Sequence, residues 1–369
     1  MEVIHSRSPY FVETSASGLS RATLEIYVYE GVIDPVLAEP TFQVSATPVN
    51  QEGVVRWDIS NLIYTEISKA YKEANTVWVK YRVIRNEGGG LSVGEFVQCY
   101  ATLGYGYYEE GYNPQTEKLI PLSTRLVSKN KNDIFKLPLL NTDGGTISFF
   151  KNGVQVDSAE VVSTGTSVDI YKEHAVYSED EFKNRASDDG GIYESNECIT
   201  EFFVTYYENN FDQIEFTSPS GETDSLSIEI ICESKYTPHR VYFMNKYGYK
   251  ESLWFFKRSE LSTKTKRDDY QSNNRISYSL GDKTIHQKKT FNLTGMENLK
   301  MNSGWVSEEK NESFRQLILS EYVWIDYEGQ ILPINVSTSD IDYKTRLNDK
   351  MINYAIDVEF AYGKINNIR

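Results

Sequence analysis

Along this chain, hydrophobic and polar positions alternate with a two-residue period in several stretches. Leu24, Ile26 and Val28 alternate with Glu25, Tyr27 and Tyr29, and Val77, Val79, Tyr81 and Val83 alternate with Trp78, Lys80 and Arg82. Successive side chains of a strand point to opposite faces, so both stretches predict half-buried antiparallel strands. Between them, Ile63, Ile67, Ala70 and Tyr71 recur at helical spacing after Ser60, a good N-cap, which predicts one amphipathic helix over 61–72. The turn-rich run GYGYYEEGYNP at 104–114 then closes a first β-sandwich with one helix, residues 1–112.

Residues 113–236 read as a middle β domain. In TISFFKNGVQVD the pair Asn152-Gly153 lies between apolar runs, a strong hairpin signal. The stretch Tyr171 to Glu197 has little periodicity and many acidic, Ser and Gly residues, including SEDE and SDDGG, and predicts a long exposed acidic loop. In residues 237–369, Val241 to Phe243 predict a strand, Asn245 to Gly248 a turn, and Leu253 to Phe256 the returning strand. A polar connection over 271–289 and a strand near 290–293 follow. Ser307 before Glu308 and Glu309 marks a helix start whose dipole favours the two acids, with Phe314, Leu317 and Ile318 as its apolar stripe. Tyr354, Ile356, Val358 and Phe360 predict one buried face of a last strand. The fold class expected is mainly β, with two or three antiparallel sandwich-like domains and a few short helices.

Composition strengthens the β reading. Aromatics make up 13% of the 369 residues, including 27 tyrosines, and aromatic side chains suit pleated, half-buried surfaces. With 53 acidic against 38 basic residues the net charge is -15, which argues against a general phosphate-backbone binder. The basic group Lys257, Arg258, Lys264, Lys266 and Arg267 is interleaved with Glu260, Asp268 and Asp269, so no specific nucleic-acid binding is expected. Cys99, Cys198 and Cys232 are odd in number and widely spaced, a poor disulfide framework that fits a reducing compartment. No apolar run of roughly 18 residues is present and MEVIHSRSPYF lacks signal-peptide character, so no membrane insertion is expected.

Candidate chemistry is sparse. His5, His174, His239 and His286 lie far apart without metal-ligand spacing, and neither a nucleophile-elbow nor a phosphate-loop motif occurs. Gly104 and Gly106 read as strand and turn glycines. Asp180, Glu181, Asp188 and Asp189 lack the ordered spacing of a calcium loop and read as a solvated acidic surface. Trp78, Trp254, Trp305 and Trp324 each sit in strand-like or capped segments and are expected in cores. Tyr105, Tyr107 and Tyr108 cannot all be buried on one sheet face, so some are expected to face solvent or a neighbouring subunit. The expected interface residues are Tyr105, Tyr107, Tyr108, Tyr112, Asp180, Asp188, Asp189, Lys364 and Arg369, with no catalytic, metal or cofactor residue among them.

The blocks SPYFVE, RATLEIYVYEG, VVRWDISNLI, VWVKYRV and GYGYYEEGYNP, and the more specific C-terminal blocks RVYFMNKYGYKESLWFFKRSE, FNLTGMENLKMNSGWVSEE, LILSEYVWI, ILPINVSTSDIDYKTRLNDKMINYAIDVEFAY and KINNIR, span nearly the whole chain. Together they resemble virion structural proteins of tailed phages of Bacteroidetes hosts, including crAss-like and flavobacterial phages. The resemblance implies a non-enzymatic part of a tail, neck or baseplate ring. Its implied partners are copies of itself and other tail, portal or baseplate proteins. The implied location is the virion tail, reached by assembly in the host cytoplasm. A glycan-binding baseplate or fibre module and a polysaccharide hydrolase are the alternative expectations.

Overall fold

The computed structural model describes residues 2–29, 39–48, 53–69, 76–115, 118–130, 135–140, 144–161, 171–176, 211–231, 235–271, 286, 288–338 and 351–364. The fold is mainly β, with several predominantly antiparallel sheets and two α-helices among these residues. By its internal contacts the chain forms two compact units, residues 1–232 with 244–251, and residues 233–243 with 252–369.

The first unit begins with β1 (Val3–His5), β2 (Phe11–Ser15), β3 (Leu19–Tyr29), β4 (Phe42–Ala46), β5 (Val54–Asp58), α1 (Ser60–Lys69), β6 (Thr76–Glu87), β7 (Gly90–Val93) and β8 (Val97–Thr102). Strands β1, β8, β6, β3 and β4 lie side by side in that order, β7 extends β6, and β2 pairs with β5. Leu24 and Ile26 of β3 and Val77 and Val79 of β6 are buried, as their alternation predicts, and so are Ile63 and Ile67 of α1. The opposite face is also a core. Tyr27, Tyr29, Trp78 and Tyr100 cluster there with Val3, the Trp78 and Tyr100 rings 4.2 Å apart. The start of α1 is organised from upstream, because the Ser60 backbone N and Oγ both donate to Asp58 Oδ1, at 3.0 and 2.6 Å.

The same unit continues with β9 (Leu126–Asn130), β10 (Phe135–Leu140), β11 (Thr146–Lys151), β12 (Val154–Glu160), β13 (Tyr171–Val176), β14 (Gln213–Thr217) and β15 (Thr223–Ile231). A five-stranded sheet in the order β12, β11, β14, β15, β9 and the pair β10–β13 contribute to one core that includes Leu137, Leu139, Phe149, Phe216 and Leu226. Asn152 and Gly153 take φ of 50° and 77° between β11 and β12, the left-handed turn their sequence calls for. The expected acidic loop starts later than residue 171, since Tyr171–Val176 is paired along its whole length with β10. Backbone hydrogen bonds are available to a polar strand without any apolar alternation to announce it.

A seven-stranded sheet runs in the order β17, β16, β20, β21, β22, β19, β18, and all its residues but Met244, Lys250 and Glu251 belong to the second unit. These strands are β16 (His239–Met244), β17 (Lys250–Phe255), β18 (Glu260–Gln271), β19 (Lys288–Ser307), β20 (Val323–Tyr327), β21 (Gln330–Val336) and β22 (Met351–Phe360). Tyr354, Ile356, Val358 and Phe360 are all buried, in one cluster with Phe314 and Leu317 of α2 (Asn311–Leu319). Ser307 accepts from Glu309 N and so caps the 3-10 turn of residues 308–310, and α2 follows from Asn311 with Lys310 as its N-cap and no side-chain cap of its own. Trp305 is 62% exposed, contrary to the expected core position. The register of β19 shifts between Asn302 and Trp305, where Gly304 takes a φ of 76°. That bulge turns Trp305 outward and Val306 inward.

Candidate interaction site

The tyrosine-rich turn leaves β8 at the end of the first sheet and is pinned at both ends to residues 6–11. On the near side, Ser6 N donates to Thr102 O and Arg7 N to Gly104 O, both at 3.0 Å, and Gly106 N donates to Ser8 Oγ at 2.6 Å. On the far side, Asn113 clamps Phe11 reciprocally: Phe11 N donates to Asn113 Oδ1 at 2.7 Å, and Asn113 Nδ2 donates to Phe11 O at 3.1 Å. Between the clamps Tyr108–Glu110 form a 3-10 turn, closed by Glu110 N to Tyr107 O at 2.9 Å.

A distant segment of the same unit braces this turn. Lys246 O accepts from Tyr105 N at 2.8 Å, and Lys246 Nζ contacts Glu110 Oε1 at 2.5 Å and lies 4.8 Å from the Tyr107 ring centre. Burial works against the Glu110 carboxylate, but hydrogen bonds from Lys246 Nζ and Tyr107 N outweigh it and hold Glu110 below its ordinary range. Backbone approaches this close need glycine. A Cβ on Gly104 would stand 2.6 Å from Lys246 O, and one on Gly248, at φ 76°, 2.6 Å from Thr102 Cβ. His5 is buried beneath, its Nδ1 3.4 Å from Thr102 Oγ1. Burial first, then the Lys246 charge, lowers its pKa to about 4 against the opposing pull of Glu110.

The outcome is a divided tyrosine set. Tyr105 and Tyr107 are half-buried and meet edge to face at 5.9 Å, with the Arg7 guanidinium 5.0 Å over Tyr105. Tyr108 and Tyr112 are 99% and 68% exposed. Tyr112 leans edge-on against Phe11 at 4.9 Å, which fixes its direction. Both exposed rings can bury apolar area on a partner, and Tyr112, already held against Phe11, would do so with little loss of side-chain freedom.

The other expected interface residues do not join this turn. Lys364 lies in the second unit, where its N donates to Gly295 O at 2.8 Å and its Nζ meets Glu297 at 2.9 Å, a contact that raises its pKa. Asp180, Asp188, Asp189 and Arg369 fall outside the described residues, as do Cys198 and Cys232. Cys99 is buried, and burial pushes its thiol up to about 12. Among the described residues no three of His, Cys, Asp and Glu gather as a metal site, and no helix is long and apolar enough to cross a membrane.

The second unit carries an exposed feature that periodicity does not reveal. All of β18 is exposed and pairs with β19 from Lys300 out to Lys288. On the other side of β19, β22 pairs only from Asn298 onward, so among the described residues the outer ribbon consists of β18 and β19. Tyr270 and Phe291 meet edge to face at 5.6 Å on it, 48% and 42% exposed. Its sequence signal is the pair of isolated aromatics within otherwise polar runs, ELSTKTKRDDYQ and KKTFNLT.

The class defined by this fold and site is a mainly β protein that presents a braced, tyrosine-bearing turn. No protein-family model matches the chain, and no curated protein matches it.

Proposed function

We propose that the chain is a non-enzymatic structural subunit of a tailed-phage virion, forming part of a multimeric tail or neck ring. Its neighbours are copies of itself and other tail, portal or baseplate proteins. The observation that carries this reading is the exposure of Tyr108 and Tyr112 on a turn that is hydrogen-bonded at both ends and braced by Lys246. Tyrosines so presented suit a protein partner, because the ring supplies contact area and the hydroxyl a polar tip. The C-terminal blocks, similar to those of phage virion proteins, direct the reading to a tail.

The test is incorporation. A chain with Tyr108→Ser and Tyr112→Ser should keep its melting temperature, because both rings are exposed, and should enter particles poorly. Electron microscopy of the native particle should locate the wild-type chain in a ring. Normal incorporation of the double variant rejects the turn as an interface, and absence of the chain from particles rejects the virion assignment.

One further observation favours a glycan-binding module as a second reading. On the face of β16, β17 and β20 opposite the core, Tyr242 pairs across to Trp324, and Arg240 lies 4.9 Å over Tyr242 and 5.6 Å over Trp254. These rings are half-buried, so a sugar face could stack on what they expose. Binding on a glycan array that disappears in Trp254→Ala would select this reading.

A further inference from the structure

A two-stranded ribbon exposed on both faces is marginal in water, yet among the described residues this chain extends one beyond its seven-stranded sheet. Register gives the ribbon two unlike faces. Tyr270 lies opposite Lys289 and Asp268 opposite Phe291, which brings both aromatics to one face. Asp269 closes the other face on itself, through Lys288 at 3.0 Å and Thr290 Oγ1 at 2.7 Å. Asp268 is engaged as well, accepting from Asn292 Nδ2 at 3.0 Å.

Charge distinguishes this arm from the rest of the molecule. Residues 264–271 and 288–294 hold five basic side chains, Lys264, Lys266, Arg267, Lys288 and Lys289, against Asp268 and Asp269, a net of +3. The whole chain carries -15, so everything outside the arm carries -18. Lysines on an edge strand are often a guard against strand addition. A guard accounts for the lysines of β18, but not for an exposed aromatic pair on the ribbon's face or for the reach past the sheet.

We propose that this outer ribbon is an intermolecular arm whose Tyr270–Phe291 face docks on a second copy of the chain, drawn by that copy's net negative charge. The arm's basic charge and the chain's acidic remainder are complementary, which favours copy-to-copy contact over an unrelated basic or neutral partner. The inference rests on the multi-copy reading above and names the surface that would join the copies.

Sedimentation velocity of the purified full chain over a range of concentrations tests it. The variants are Tyr270→Ser with Phe291→Ser, and Lys264→Glu with Lys266→Glu. The two lysines are exposed, so the melting temperature of that pair should match wild type, and circular dichroism checks that the ribbon survives loss of the Tyr270–Phe291 contact in the other. Each pair should weaken self-association by roughly tenfold or more. Raising salt from about 0.05 M to about 0.5 M should weaken the wild type and have less effect on the Lys→Glu pair. Association unchanged in both variants overturns the arm and leaves the multi-copy reading standing. A wild-type chain monomeric throughout overturns the arm, while particle microscopy separately judges the ring. Capture of single-stranded DNA by the ribbon without self-association likewise overturns the proposal in favour of a nucleic-acid contact.

Discussion

His5 makes the first unit sensitive to acid through a buried ring. In the folded chain its pKa is lowered to about 4, first by burial and then by Lys246, whereas an unfolded histidine titrates near 6.5. Above the unfolded value both states hold a neutral ring, and the stabilisation is fully present. Between about 6.5 and about 4 the unfolded chain binds a proton that the folded chain refuses, so stability falls as pH falls. Below the folded value both states are protonated and the loss is complete. The whole window is worth roughly 3 kcal/mol, at about 1.4 kcal/mol per pH unit. Replacing His5 by Gln keeps a polar side chain and removes the titration. Urea denaturation from pH 4 to pH 7, read by hydrogen exchange of peptides covering residues 1–8 and 97–106, should show wild type losing its advantage over His5→Gln as pH drops. A stability difference that stays constant across that window would refute the reasoning. Lys246→Met should narrow the window from its acid end and reduce the stability lost across it, because it removes a positive charge that depresses the folded-state value and leaves Glu110 to raise it.

Other perturbations separate packing from exposure. Gly104→Ala should destabilise the first unit by about 1–3 kcal/mol, since its Cβ would press on the Lys246 carbonyl and Thr102 Oγ1, and urea melts should show it. Glu251→Gln should cost about 1–2 kcal/mol, because the buried carboxylate accepts from Ser123 N, Ser123 Oγ and Asn245 Nδ2, and a neutral amide, even with its Nε2 turned to the Ser123 hydroxyl, loses the charge-assisted strength of these bonds. Phe314→Ala should destabilise the second unit by about 3–5 kcal/mol, because its ring is buried and stacks on Tyr354 at 4.3 Å. Trp305→Ser should stay within about 0.5 kcal/mol of wild type in the same denaturation assay, as an exposed side chain beyond a bulge.

The candidate site was only partly legible. Crowding of Tyr105, Tyr107 and Tyr108 beside a strand implies that some ring must leave the core, and Tyr108 does so. What holds the turn comes from far along the chain: Ser8 and Phe11 on one side, Lys246 on the other. No local pattern reports partners at such separations. Trp305 shows the same limit, because a single bulge at Gly304 reverses which positions of β19 face inward.

By itself, the sequence determined the β character, the alternating strands of the first sheet, the Asn152-Gly153 hairpin, the Ser307 cap and the buried face of the last strand. Each depends on residues close together, where side-chain periodicity and turn chemistry act directly. Tertiary structure alone decided that the first sheet is buried on both faces around Trp78, that Trp305 points out, and that Glu260–Gln271 is a strand. Alternation reports a strand only when one face is buried and the other wet. With both faces buried, as at Tyr27 and Trp78, or both exposed, as along β18, that contrast is lost and backbone pairing with distant segments sets the structure.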